Sequence, residues 1–500
     1  MSVDEWNSEL NFVTFQRNVR VPLCKTEYSP RRGFNDLRSS EKGDMNNISL
    51  FGLGKLGAVI AGCYASRGFQ IVGVDVSRRA VESCDRGVAP VEEPGIEELY
   101  RTAGNRLSAT VDGNAAVLGS DATFVIVPTP SEPDGGYSLK YVLETCAVIG
   151  TALRKKNSYH LVVLKSTVSP GSCDSFVIPA LEAHSAKRCG VDFGFCYNPE
   201  FIALGSVIYN IFNPDLTLIG ETDSQAGDCL LGMYARLLPK EAPMSRMNVV
   251  NAELTKLAVN TYVTVKITFA NLMAQLCERL PGGNVDAVTT ALGKDSRIGS
   301  KYIKGGLGYG GPCFPRDNAA MFSLAKRLGV PFPLAEATDA VNREIPARIA
   351  DLVESKAPTG GCIGVLGLSY KPDTPVIEES QAILITEILL KRGFDVRAFD
   401  PSAMDAARQR FGKRVQFMDS AEACLHGADV VLIATPWKQF KSLDYAGSHA
   451  AVIDCWGLLD GTANGASVIR VGIHSPPQCD DRAQLTRAPH SLSTADELER

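Results

Sequence analysis

The stretch NNISLFGLGKLGAVIAGCYASRGFQIVGVDVS, residues 46–77, constrains this 500-residue chain more than any other. A short apolar run leads into glycines at 52, 54 and 57, a small-residue apolar segment follows, and a second apolar run ends on Asp75. That order predicts strand, tight turn, helix and strand, the opening of a parallel, doubly wound sheet. Each glycine has its own task. Gly52 lets the chain turn sharply, Gly54 lets the backbone approach a pyrophosphate, and Gly57 lets helix and strand pack closely. The start of the helix offers N–H groups and a partial positive charge to phosphates. Asp75 would bind the adenosine ribose hydroxyls and repel a 2′-phosphate, favouring NAD over NADP, while Arg78 and Arg79 beside it oppose that preference. Leu56 in the turn, and Thr129 and Pro130 after a later strand, complete the expected cofactor contacts.

The chain as a whole limits what this turn can serve. Five hundred residues exceed one ordinary core and imply two or three domains. A net charge of −5 over that length gives no electrostatic case for nucleic acid. No apolar run approaches the roughly 18 residues of a membrane span, and MSVDEWNSELNF lacks the basic-then-apolar order of a signal peptide. A soluble, cytoplasmic protein without a membrane partner is expected. The 14 cysteines are scattered, with no CxxC pair and no zinc-like spacing, so no metal is expected and most thiols read as reduced core fillers. The six histidines fall in no motif, which points acid–base chemistry away from imidazole.

Residues 1–45 are polar and aperiodic and read as a poorly ordered extension. Over 46–246 strands alternate with helices; ATFVIVPTP (122–130) and YHLVVLKSTVSPG (159–171) are buried strands ending in polar loops. Over 247–345 the character changes. VNAELTKLAVNTYVTVKITFANLMAQLCERL holds neither Gly nor Pro and predicts a helix about 45 Å long, suited to bridging domains or subunits. Over 346–475 the strand–helix rhythm returns: CIGVLGLSYKPD and a strand ending on Asp400 repeat the opening plan. ADVVLIATPW (428–437) echoes SDATFVIVPTP (120–130), so the chain reads as an internal duplication. The expected fold is α/β: two Rossmann-like doubly wound parallel sheets joined by a long central helix and a small helical domain, with a polar tail over 476–500. One sheet for NAD and one for a nucleotide-bearing substrate would explain the duplication.

Four further stretches follow in order: LKSTVSPG (164–171), YNPEFIALGS (197–206), AELTKLAVN (252–260) and GGLGYGGPCFPRD (305–317). With the glycine turn, they resemble the UDP-glucose/GDP-mannose dehydrogenase family over roughly residues 46–470. The resemblance implies an NAD-dependent enzyme that oxidises the C6 alcohol of a nucleotide sugar twice, to a carboxylate. By motif, Cys313 is implied as the nucleophile that captures the intermediate aldehyde as a thiohemiacetal; loss of a second hydride leaves a thioester for water to hydrolyse. Covalent addition suits this chemistry, because an aldehyde cannot lose a second hydride until a nucleophile has added. Lys256 and Asn260, four residues apart and so on one helix face, are implied to steady a developing oxyanion. Glu200 matches the family's acid–base glutamate, and Thr167 and Asp317 match residues that position water and the reacting oxygen. Phe201, Arg297, Lys304, Gly310 and Lys371 match substrate-contacting positions. The arginine reaches across from a neighbouring subunit in the family, implying a homodimer or higher oligomer.

Three positions depart from the family pattern. Leu204 stands where a second glutamate is usual, and Glu378 and Trp456 stand where arginines are usual. Glutamate for arginine reverses a charge; tryptophan could stack on a base. UDP-glucose is the default substrate, with UDP-N-acetylhexosamines and GDP-mannose as alternatives. A two-electron dehydrogenase of the hydroxyacid or 6-phosphogluconate type would need neither Cys313 nor the second sheet, and a non-catalytic protein would bind the dinucleotide without turnover. Lys256 is expected to favour the Cys313 thiolate. The glycines of 305–311 are expected to let the backbone wrap closely around a sugar phosphate.

Overall fold

A computed structural model describes residues 45–459 and 467–475; the expected N-terminal extension, apart from Met45, and the tail from 476 lie outside the described residues. The first sheet contains β1 (Asn47–Phe51), β2 (Gln70–Val74), β3 (Leu107–Thr110), β4 (Ala122–Val125), β5 (Leu161–Leu164), β6 (Gly194–Tyr197), β7 (Thr217–Glu221) and β8 (Met244–Asn248). They lie in the order β3-β2-β1-β4-β5-β6-β7-β8, parallel except between β6 and β7. The first six strands have the order of a dinucleotide-binding sheet, whose crevice opens where the order reverses, between β1 and β4. The apolar runs of β4, β5 and β6 are buried on both faces, as a parallel sheet sandwiched by helices requires. Helix α1 (Gly57–Ser66) follows the glycine turn and is buried along nearly its whole length.

The second sheet contains β9 (Cys362–Leu366), β10 (Asp395–Phe399), β11 (Gln416–Phe417), β12 (Val430–Ile433), β13 (Ala451–Asp454) and β14 (Val468–Arg470). Its order, β11-β10-β9-β12-β13-β14, repeats that of the first six strands. The duplication reaches individual hydrogen bonds. Gly52 N donates to the Val74 carbonyl at 2.8 Å, and Gly367 N donates to the Phe399 carbonyl at 2.8 Å. Asp121 accepts from Asn47 N at 2.9 Å, and Asp429 accepts from Cys362 N at 2.8 Å. In this register Phe51 faces Val125 and Leu366 faces Ile433, so Thr435-Pro436 matches Val127-Pro128. The two Thr-Pro pairs that suggested the duplication are therefore offset by two residues.

Helix α2 (Val249–Arg279) is 31 residues long. The side chain of Asn248 starts it by accepting from Asn251 N at 3.1 Å, satisfying one of the donors a helix start leaves open. It is followed by α3 (Val285–Lys294), α4 (Phe314–Arg327) and α5 (Pro333–Glu354). Helix α5 runs unbroken across the expected domain boundary at 345/346. It packs on α2 and α4, while Ile345, Ile349, Ala350 and Val353 belong to the core of the second sheet. Among the described residues, no helix is long and apolar enough to cross a membrane.

Candidate active site

The glycine turn sits at the β1/β4 crevice. Gly52 has φ +99°, and a Cβ there would collide with the Ile126 carbonyl; one at Gly57 would collide with the Gly52 carbonyl. Those two glycines serve packing. Gly54 differs: a Cβ there would have no atom within 4 Å, so its backbone faces open space. Asp75 is half-buried and accepts from Leu53 N at 2.7 Å and Ser77 N at 2.8 Å. A carboxylate has about four acceptor sites, which leaves capacity for ribose hydroxyls. Leu56 is half-buried, and its carbonyl accepts from Ile60 N at 3.0 Å in the first turn of α1. The Thr129 hydroxyl donates to the Thr167 carbonyl at 2.8 Å, and the Pro130 carbonyl accepts from Ser138 N at 2.8 Å. An open backbone beside a helix start, with an acid at the next strand's end, fits a dinucleotide.

Beyond the crevice, several chain segments carry the expected catalytic residues: Lys256, Asn260, Cys313 and Asp317 gather, while the Glu200 carboxylate turns to Lys165 and Thr167 is met through its carbonyl. Thr167 follows β5 and Glu200 follows β6. Lys256 and Asn260 come from one face of α2, and Cys313 immediately precedes α4, which carries Asp317 in its first turn. Lys256 Nζ donates to the Glu200 backbone carbonyl at 2.8 Å and lies 4.7 Å from the centre of the Phe201 ring. Asn260 Nδ2 donates to Asp317 Oδ2 at 2.5 Å, and Asp317 N donates to the Cys313 carbonyl at 2.9 Å. Sequence reasoning passed over three neighbours. Lys165 has a fully buried side chain, with Nζ 2.5 Å from Glu200 Oε1 and 2.6 Å from Asn198 Oδ1. Tyr137 donates its hydroxyl to Asp317 Oδ1. Arg316 donates to the Thr129 carbonyl at 2.6 Å. For Lys165 a signal existed: a lysine ending an otherwise apolar buried strand needs a partner.

Among the described residues, Cys313 is the one exposed cysteine. Although one side is open, the protein crowded around its thiol is the largest influence and pushes its pKa up. Asp317 pushes the same way. Lys256 and Arg316 oppose, and Glu378 adds a further upward push. Lys256 acts in the expected direction, and desolvation and the carboxylates outweigh it. The departure at 378 contributes, since a carboxylate occupies a position where the family pattern carries a cation.

The cysteine loop lies close against the rest of the chain. Its glycines are packed against the protein itself. A Cβ at Gly306 would come within 2.9 Å of the Trp456 ring, and one at Gly310 would collide with the Glu379 carbonyl. Gly311, at φ +81°, lies against the Tyr370 ring and donates its N–H to the Glu378 carbonyl at 3.0 Å. Trp456 is committed to this seat. Its indole N–H donates to the Ala434 carbonyl at 2.8 Å and its half-buried ring joins the edge of the second sheet's core. Leu204 likewise packs on the first sheet's core.

The remaining expected substrate contacts are more scattered. Lys371 is half-buried, and desolvation lowers its pKa. Lys304 is exposed. Arg297 is largely exposed and pairs with Asp295 on its own loop at 2.6 Å. No group of His, Cys, Asp and Glu able to hold a metal occurs among the described residues.

Comparison with known proteins accounts for this arrangement. Three protein-family models match in chain order: the UDP-glucose/GDP-mannose dehydrogenase family NAD binding domain over residues 46–238, its central domain over 250–344 and its UDP binding domain over 364–461. UDP-glucose 6-dehydrogenase AglM of Haloferax volcanii is 38% identical over 401 residues, covering 79% of this chain and 93% of that protein. GDP-mannose 6-dehydrogenase of Pseudomonas aeruginosa is 37% identical over 357 residues, covering 71% and 80%. Among solved structures, a UDP-glucose dehydrogenase from Pyrobaculum islandicum superposes with a TM-score of 0.80 at 36% identity, covering 87% of this chain and 99% of that one. The chain belongs to the UDP-glucose/GDP-mannose dehydrogenase family and is an NAD-dependent nucleotide-sugar 6-dehydrogenase.

Proposed function

We propose that the chain oxidises the C6 alcohol of UDP-glucose to the carboxylate of UDP-glucuronate, in two steps at one site, with Cys313 holding the intermediate. The observation that carries this reading is Cys313, the one exposed cysteine among the described residues, flanked by the Asn260–Asp317 pair and within electrostatic reach of Lys256. Gly52, Gly54, Gly57 and Asp75 would hold NAD, which supplies the hydride acceptor for both oxidations. Cys313 rests as a thiol and must give up its proton as its sulfur bonds to the aldehyde carbon. Lys256 has two ammonium protons beyond the one given to the Glu200 carbonyl, and Asn260 has a second amide proton beyond the one given to Asp317. These are the donors for the oxygen that gains charge at each addition. Glu200, anchored by Lys165, takes the proton from the water that cleaves the thioester, and Thr167 and Asp317 orient the water and the reacting oxygen. Phe201, Lys304, Gly310 and Lys371 line the sugar-nucleotide path.

UDP-glucose is favoured because both the Haloferax volcanii and Pyrobaculum islandicum relatives are named for it. GDP-mannose is the second reading, from the 37% identical Pseudomonas aeruginosa relative. Val250, Leu254, Tyr262, Phe269 and Leu276 leave apolar surface exposed along α2, which supports a homodimer that would bring the partner's arginine to the site. NADH formation measured across UDP-glucose, UDP-N-acetylglucosamine, UDP-N-acetylmannosamine, UDP-galactose and GDP-mannose tests the substrate. Two NADH per UDP-glucose are expected, with Cys313→Ser stalling before the acid. One NADH per sugar in the unaltered protein would refute the covalent two-step reading.

A further inference from the structure

Asp317 is held from two sides. Asn260 on α2 donates to Oδ2, and the Tyr137 hydroxyl donates to Oδ1. Tyr137 belongs to a hairpin that leaves β4 at the mouth of the cofactor crevice, closed by a bridge between Ser131 and Tyr137. Two contacts and one close approach seat that hairpin on α4. The Arg316 guanidinium lies 5.0 Å from the centre of the Tyr137 ring while donating to the Thr129 carbonyl. The Ser323 hydroxyl donates to Asp134 Oδ2 at 3.3 Å, and a Cβ at Gly135 would come within 2.9 Å of the Ala319 carbonyl oxygen. The ring itself is buried with Leu257, Ala320, Met321 and Leu324.

A carboxylate bonded through one oxygen can still turn about its Cβ–Cγ bond. Donors on both oxygens fix its plane, and a reacting group needs that degree of orientation. Burial, and then the carboxylate of Asp317, raise the phenol's pKa, so Tyr137 keeps its proton and acts as donor. We infer that Tyr137 is a positioning residue: its hydroxyl orients the Asp317 carboxylate beside Cys313, so the hairpin of the cofactor-binding sheet sets the geometry of the catalytic helix. This rests on the proposed reaction, in which Asp317 orients the reacting oxygen.

Tyr137→Phe keeps the ring that packs on α4 and removes only the hydroxyl. It is expected to lower kcat about ten-fold, the scale of a lost hydrogen bond to a charged group, with the KM values for NAD and sugar changed far less. The deciding measurement is a double-mutant cycle with Asp317→Asn, read by turnover and by denaturant unfolding. A hydroxyl acting through Asp317 makes the double variant no slower than Asp317→Asn alone, and the two substitutions couple in stability as well. Multiplicative effects on kcat would overturn the inference, as would stability coupling without any coupling in turnover. A fluorinated tyrosine at 137, which preserves shape and strengthens the donor, should alter kcat without moving the unfolding midpoint; an unchanged kcat would also overturn it. NADH stoichiometry of the unaltered protein separates this from the reaction itself. One NADH per sugar breaks the two-step reading and leaves the cycle measurable on the turnover that remains.

Discussion

The two sheets share strand order, glycine turn and terminal acid, yet differ at the point where a dinucleotide would lie. In the first, FGLGKLG places Gly54 in open space and leads straight into α1, and Asp75 uses two backbone donors. In the second, LGLSYKP puts Ser369 in place of Gly54 and Pro372 in place of Gly57, and the next helix starts only at Gln381. The second acid, Asp400, is 1% exposed. It accepts from the backbone N–H groups of Leu368, Ser369, Ser402 and Ala403, from the Ser369 hydroxyl and from the Trp437 indole. The same carboxylate position is an open acceptor in one sheet and a filled internal tie in the other. Duplication preserved the scaffold; the donors of Ser369 in the turn, and of Ser402, Ala403 and Trp437 beyond it, fill the acid that Asp75 leaves open.

The largest expected effect tests the filled acid. Asp400→Ala strands several buried donors and should cost on the order of 3–5 kcal/mol of stability, with NAD affinity essentially unchanged by titration calorimetry. An equal loss of NAD affinity would show that the two acids do not differ in kind. Next, Asp75→Ala should weaken NAD binding by about 10- to 100-fold while costing less stability than the change at 400. A smaller loss of binding than of stability would reverse the comparison.

The smallest effect uses acid. The first sheet carries a buried polar row, in which Ser49 bonds Thr123 at 2.7 Å and Thr123 bonds His160 at 2.7 Å. The second sheet has Gly364, Val431 and Ala450 at the matching positions. Burial, and then Lys156, push His160 down from 6.5 to about 3. The unfolded chain therefore binds this proton first. The contribution is whole above pH 6.5 and drains away as pH falls toward 3, by at most about 1.4 kcal/mol per pH unit. Unfolding free energies between pH 7 and 5 should fall less steeply for His160→Gln. An identical slope would mean that the acid sensitivity of the two sheets is the same.

Much of the fold was legible because it rests on local pattern. The apolar runs of β4 and β5, the glycine turn and the unbroken period of α2 declare themselves within a few residues of each other. The residues proposed for catalysis were picked out by motif alone. Tyr137 was not, since its meaning arises from a partner 180 positions away. Lys165 stood inside a quoted motif, yet only the segment that follows the neighbouring strand β6 reveals what it holds. Trp456 was read from its own chemistry, when its role is set by Gly306, which has no side chain to signal a contact. The direction of Lys256's pull on the Cys313 thiol was legible, but the larger opposing push was not, because desolvation is a property of the assembled cleft.

The loop before Cys313 bears on how freely this architecture can be recombined. Two sheets with one topology look like interchangeable modules, and grafting the second from a relative is an obvious route to a different nucleotide. Yet that sheet's own turn and tryptophan form the bed on which the Cys313 loop lies. A transplanted sheet would arrive with a different bed, so specificity and the placement of Cys313 are inherited together.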